Sequence, residues 1–170
     1  MADVYVAVGA NIEPESSIPA AFDRLARRVR IRATSTFYRT EPLGRADQPA
    51  FLNGVWQLDT EVAPRPLKFE ILRGIESELG RRRTKDRNAP RIIDLDIVLY
   101  GRMVIDEPGL HIPDPDIRER AFVAVPLLEL APGLVLPDTG ERLADLPVAR
   151  NNGLESAVEL TRTLKERVNG

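Results

Sequence analysis

The chain has 170 residues, enough for one ordinary domain with an enclosed core. Its formal charge of −2 argues against a general nucleic-acid binder, which would spread positive charge over a face. It contains no cysteine and a single histidine, His111. That excludes a disulfide framework, a thiol nucleophile and a Cys- or His-rich metal cluster, and leaves little from which to build a Ser-His-Asp triad. Met1-Ala-Asp-Val-Tyr-Val runs straight into a strand pattern, and no apolar stretch is long enough to cross a bilayer. A soluble, cytoplasmic chain with no membrane partner is therefore expected.

Val4, Val6 and Val8 alternate with Tyr5 and Ala7 up to Gly9-Ala-Asn11, a first strand ending in a turn. Glycine there lets backbone approach a ligand, and Asn11 tolerates unusual dihedrals. Ser17, Ile18 and Pro19 mark a helix start, and Ile18, Ala21, Phe22, Leu25 and Ala26 keep one apolar face to about Arg28. Val29 to Tyr38 reads as a second strand. Arg39 to Ala50, with two prolines and one glycine, is a long connection of the kind that covers a ligand. The third strand, from about Leu52 to Val62, sets Val55, Gln57 and Asp59 on one face and Trp56 and Leu58 on the other. Pro64 and Pro66 open a second helix with a stripe of Leu67, Ile71, Leu72, Ile75 and Leu79, ended by Gly80.

Arg91-Ile-Ile-Asp94-Leu-Asp96-Ile-Val-Leu-Tyr100 reads as the fourth, buried strand. Its alternation sends Asp94 and Asp96 to one face and Ile93, Leu95 and Ile97 to the other. Two carboxylates on an apolar element need a positive partner, and a divalent metal such as Mg²⁺ suits an oxygen-only pair. A lone Asp-x-Asp would equally suit a salt-bridged sheet edge. Gly80 to Arg91, however, sets six basic residues against one acidic directly upstream, and arginine grips phosphate in bidentate fashion. Positive loop and negative strand together predict a site for a polyphosphate carried on metal.

Gly101-Arg102 turns the chain into a short strand at Met103 to Asp106. Pro108 to Pro115 is irregular and holds His111, read as an ordinary, partly buried side chain. A helix over Ile117 to Leu130 turns Phe122, Val125 and Leu128 inward, and Leu134 to Leu136 suits an edge strand. From Gly153 the spacing of Leu154, Ala157, Val158, Leu160, Thr161 and Leu164 predicts a terminal helix. The tail from Gly153 carries no catalytic signature, and residues 138–170 are read as a C-terminal extension of the same single domain with no role assigned. Strand, helix, strand, strand, helix, strand is the order of an α+β, ferredoxin-like fold: an antiparallel sheet with helices on one face and the other available.

Phe37-Tyr-Arg-Thr40-Glu-Pro-Leu43-Gly44, Asp47-Gln-Pro49, Phe51-Leu-Asn53 and above all Pro90-Arg91-Ile-Ile-Asp94-Leu-Asp96-Ile97 resemble the 6-hydroxymethyl-7,8-dihydropterin pyrophosphokinases of folate biosynthesis. The resemblance spans about Val4 to Pro137. It implies a ferredoxin-like enzyme that moves the pyrophosphoryl group of ATP to the pterin hydroxymethyl group and releases AMP. By that resemblance Asp94 and Asp96 hold two Mg²⁺ ions, Arg81 and Arg91 grip the phosphates, and Arg83 and Arg87 add contacts from the basic loop. Glu76, Ile97 and Arg120 belong to the nucleotide site. Gly9, Thr40, Leu43, Asn53 and Phe122 form the pterin pocket, with Phe122 stacked on the ring. The chain departs from the family pattern at Asn88, where tryptophan is usual, at Phe51 for tyrosine, and at Asp114 for histidine. ATP and the pterin are the implied partners, with a folate-pathway enzyme as a candidate protein partner.

Two rival readings use the same residues. An RNA-binding ferredoxin-like module would want aromatics on its central strands, where this chain has Asp94 and Asp96. A catalytically inactive nucleotide-binding protein would fit Asn88 and Asp114.

Overall fold

The computed structural model describes residues 2–41, 48–81, 92–150 and 153–170. Strand β1 (Ala2–Ala10) leads to α1 (Pro14–Ala26), and β2 (Arg30–Thr34), β3 (Tyr38–Thr40) and β4 (Phe51–Thr60) follow. Next, α2 (Pro64–Pro66), a π-helical stretch (Leu67–Leu72) and α3 (Arg73–Glu78) run on as one rod. Then come β5 (Asp94–Tyr100), the hairpin β6 (Ile105–Glu107) and β7 (Leu110–Ile112), α4 (Asp116–Glu119), α5 (Ala121–Leu130), β8 (Glu155–Ser156) and α6 (Val158–Asn169).

The main sheet runs β5-β1-β4-β3-β8, with β2 also on β4, and every pairing is antiparallel. With β2 and β3 taken as one interrupted strand, this is the ferredoxin-like order. The alternation read from the sequence holds: Val4, Val6, Val8, Trp56, Leu58, Leu95 and Ile97 turn to one side. There they meet Phe22 and Leu25 of α1, Leu72 and Ile75 of the rod, and Leu160 and Leu164 of α6. Trp56, fully buried, stands edge-on to Phe22 at 5.3 Å, and truncating such an aromatic costs about 3–5 kcal/mol.

The opposite face is half covered. Tyr5, Val55, Val98 and Leu99 pack against Ile117, Val123, Ala124 and Leu127 of α4 and α5. The ladder slips between Tyr5 and Val6, leaving Val98 as an extra residue. This β-bulge lets Val98 and Leu99 share one side while Asp94 and Asp96 keep theirs.

Several boundaries differ from those read in the sequence. Helix α1 begins at Pro14 rather than Ser17, so Pro14 takes the first-turn place expected of Pro19. The left-handed residue after β1 is Glu13 (φ 44°), not Asn11, which instead donates from Nδ2 to Gln48 Oε1 at 2.7 Å. The expected strand Val29 to Tyr38 is broken over residues 35–37, and the expected helix Ile117 to Leu130 is split where Arg120 is extended (φ −123°, ψ 115°). Leu134 to Leu136 forms only an isolated bridge between Val135 and Arg142. The terminal helix starts at Val158, which is exposed, and His111 is exposed as well, with Nδ1 2.8 Å from Asp106 Oδ1.

Candidate active site

The uncovered half of the second face is the floor of a cleft of about 550 Å³. Ala7 and Gly9 of β1, Asn53 of β4 and Asp94 and Asp96 of β5 form that floor. Thr40, Glu41 and Phe51 make one wall, and Arg120, Phe122 and Val123 the other, with Asp114, Asp116 and Glu119 at the rim. Gly9, Thr40, Asn53, Asp94, Asp96, Arg120 and Phe122, all expected at a site, are thus brought together.

Each is placed by its element. At Gly9 an added Cβ would stand 2.5 Å from Asn53 Oδ1, so glycine is what lets Asn53 lie flat across β1. Asn53 Nδ2 then donates to Thr40 Oγ1 at 2.6 Å, joining β4 to β3 at one end of the cleft. The break in helix at Arg120 turns its neighbours into α5, whose first amides, Val123 and Ala124, donate to the Arg120 carbonyl.

At the other end, Gly80 adopts φ +90° and ends the rod, reversing the chain so that the Arg81 N–H meets the Glu76 carbonyl at 2.9 Å. Arg81 Nη1 lies 2.7 Å from both Glu76 Oε2 and Asp94 Oδ1. Burial pulls the guanidinium pKa down, but the two carboxylates outweigh it and hold the charge in place. Glu76, 2% exposed, also accepts the Leu95 N–H at 2.8 Å, fastening the rod to β5. It sits beneath the site rather than in the cleft. The Ile97 side chain is in the core, on the far side of the sheet from Asp96, so only its main chain is available to a nucleotide. Leu43, Arg83, Arg87, Arg91 and Asn88 lie outside the described residues.

Lys68 was not legible as a site residue. Its Nζ stands 3.3 Å from Asp96 Oδ1, projected there from the π-helical stretch, a wide turn often found at functional sites and without a sequence mark. Asp96 has its pKa raised, chiefly because neighbouring protein atoms displace water, while the Lys68 ammonium opposes the rise. Asp114 is pushed up to about 7, chiefly by burial and then by Asp96 and Asp116. Its spacing with Asp116 repeats the Asp94-x-Asp96 pattern, which is the signal that could have marked it.

Among the described residues no three His, Asp or Glu side chains close into a metal cage. The set does fit magnesium: Mg²⁺ keeps several waters and takes one or two carboxylates plus substrate phosphates, and Asp94 and Asp96 present oxygen ligands side by side. Burial raises the Asp114 pKa most, and the further rise from Asp96 and Asp116 is the part that a divalent cation would relieve.

A family model described as 7,8-dihydro-6-hydroxymethylpterin-pyrophosphokinase (HPPK) matches residues 5–132. A 2-amino-4-hydroxy-6-hydroxymethyldihydropteridine pyrophosphokinase of Pseudomonas aeruginosa is 48% identical over 149 residues, covering 86% of this chain and 90% of that one. The enzyme of the same name from Haemophilus influenzae is 41% identical over 142 residues, covering 82% and 88%. Folic acid synthesis protein fol1 of Pneumocystis carinii is 41% identical over 143 residues, 83% of this chain but 19% of that longer one. A crystal structure of Plasmodium falciparum HPPK-DHPS superposes with a TM-score of 0.54 at 13% identity, covering 99% of this chain and 44% of that one, and speaks for the fold alone. With the cleft built on Asp94, Asp96 and Asn53 and a match across most of its length, the chain belongs to the 7,8-dihydro-6-hydroxymethylpterin-pyrophosphokinase family.

Proposed function

We infer that this chain is an enzyme of folate biosynthesis that transfers the pyrophosphoryl group of ATP to 6-hydroxymethyl-7,8-dihydropterin and releases AMP. The observation that carries the reading is Asp94 and Asp96 side by side on the cleft floor with the Asn53–Thr40 pair, Asp94 being held by the largely buried Arg81.

Each group then has a task. Asn53 and Thr40 offer amide and hydroxyl groups to a polar heterocycle, Phe122 offers a ring to stack on it, Gly9 leaves room beneath it, and Leu43 completes that pocket. Asp94 and Asp96 would hold magnesium. Two bound Mg²⁺ ions would neutralise phosphate oxygens and ease loss of the hydroxyl proton. The pterin hydroxymethyl oxygen attacks the β-phosphorus in line, the bond to the α–β bridging oxygen breaks, and AMP leaves with the electron pair. Arg81 and Arg91 stabilise the charge that builds on the leaving group, with Arg83 and Arg87 as further phosphate contacts. Arg120, the Ile97 main chain and Glu76, through the guanidinium it holds, serve the nucleotide end.

The RNA-binding alternative is weakened by the same floor, since Ala7, Gly9, Asn53 and two carboxylates provide no stacking platform. No helix among the described residues is long and apolar enough to cross a membrane. The longer fol1 relative supports a folate-pathway enzyme as partner. We take residues 1–170 as one pyrophosphokinase domain, a reading supported by the packing of Leu160 and Leu164 into the same core as Trp56.

The test is AMP formation from ATP with and without the hydroxymethyl pterin. AMP should appear only when both are supplied, and Asp96→Ala should abolish it while the fold, followed by Trp56 fluorescence, stays intact. Near-full turnover by Asp96→Ala with Mg²⁺ would defeat the assignment.

A further inference from the structure

The wall that presents Thr40 is a strand of only three residues, and its hold on β4 is interrupted just before it. Over residues 35–37 each amide finds a different acceptor. Ser35 donates to the Val55 carbonyl at 2.9 Å, and Thr36 to both carboxylate oxygens of Glu129 on α5 at 3.1 Å. Phe37 donates to Thr161 Oγ1 on α6 at 2.9 Å. The Phe37 carbonyl accepts from the Ala157 N–H at 2.7 Å, after which β8 pairs Ser156 with Tyr38 and Glu155 with Arg39.

The C-terminal segment therefore holds Phe37 through Thr161 and Ala157 and β3 through Ser156 and Glu155, and it lies beyond the residues matched by the family model. Phe37 is fully buried with its ring 6.3 Å from Trp56, so it has no slack toward the core. If its amide loses its acceptor, relief comes from moving the chain, and Thr40 is three residues on. Three residue pairs with β4 are the inner hold on β3, and its outer neighbour is β8.

We propose that residues 153–170 are a positioning element for the heterocycle end of the cleft, acting through Thr161 and Ala157 on Phe37 and so on Thr40 and its partner Asn53. The proposal rests on the functional reading above. Thr161 touches no substrate; it fixes the strand that does.

The experiment uses the full chain with Thr161→Val, Thr161→Ser, Ala157→Pro and, on the exposed side of α6, Arg162→Ala. Pterin affinity is measured by calorimetry in the presence of a nonhydrolysable ATP analogue, alongside kcat and both KM values, with Trp56 fluorescence to confirm folding. Thr161→Val and Ala157→Pro should each weaken pterin binding and raise its KM about tenfold, leaving the KM for ATP within about twofold. Thr161→Ser should restore the parent values and Arg162→Ala should not change them. Unchanged pterin affinity in a folded Thr161→Val, or equal losses for ATP and pterin, would overturn the proposal. If Thr161→Val does not fold, Ala157→Pro decides by the same criterion. A parent chain that makes no AMP would sink the functional reading itself, whereas an active parent with unaffected variants sinks only this inference.

Discussion

Replacing Glu76 with glutamine removes one charge and almost no volume from the joint between the rod and β5. The new side-chain carbonyl can still accept the Leu95 N–H, now held at 2.8 Å, so the strand contact survives and the charge is what is tested. Arg81, whose side chain is 9% exposed, keeps only Asp94, itself 34% exposed. Removing one partner of a buried ion pair costs about 3–5 kcal/mol, and the remaining carboxylate puts this case at the lower end, about 3 kcal/mol. For a domain of this size that lowers Tm by about 6–12 °C. Urea unfolding followed by Trp56, the only tryptophan and fully buried, gives the free energy directly. The decisive comparison is a cycle with Arg81→Met. Once the guanidinium is gone, Glu76→Gln should cost at least about 2 kcal/mol less than it does alone. Additive losses to within about 0.5 kcal/mol would refute the idea that Glu76 serves to hold Arg81.

Two further outcomes follow from the acids of the cleft. Asp114, pushed up to about 7 in the folded chain from 3.8, is protonated there while the unfolded chain is ionised. The folded state thus binds more protons between about pH 4 and 7, and stability falls as pH rises through that window. In magnesium-free buffer the urea midpoint should drop from pH 5 to pH 8 more steeply for the parent than for Asp114→Asn; parallel curves would count against this. Lys68, 3.3 Å from Asp96, competes with a metal for that carboxylate, so Lys68→Met should tighten Mg²⁺ binding to the nucleotide-free chain about two- to fivefold by calorimetry. Weaker binding would mean that Lys68 orients Asp96 instead.

What the sequence disclosed was what short-range periodicity controls. Alternation put Val4, Val6, Trp56 and Leu95 on one side of the sheet and Asn53, Asp94 and Asp96 on the other, and the stripe from Leu67 to Ile75 marked the rod. What stayed hidden was set by contacts between distant residues. The bulge at Val98 answers to α5 rather than to its own neighbours, and the interruption at residues 35–37 is stable because Glu129 and Thr161 supply acceptors. The same holds for β8, too short to leave a pattern, and for Lys68, aimed at Asp96 by a wide turn. Arg81 was singled out by the family resemblance, but its double engagement with Glu76 and Asp94 depends on the reversal at Gly80.

The pairing of Asp94 with Arg81 and of Asp96 with Lys68 gives the chain its own counter-ions. It can therefore reach its native shape without metal, and a chelator should inhibit it without unfolding it. On the functional reading proposed above, a magnesium polyphosphate would take over Asp94 and Asp96 and leave the Lys68 ammonium and the Arg81 guanidinium free for its phosphates. Admission of substrate would then be a trade of partners among charges the protein already holds in pairs.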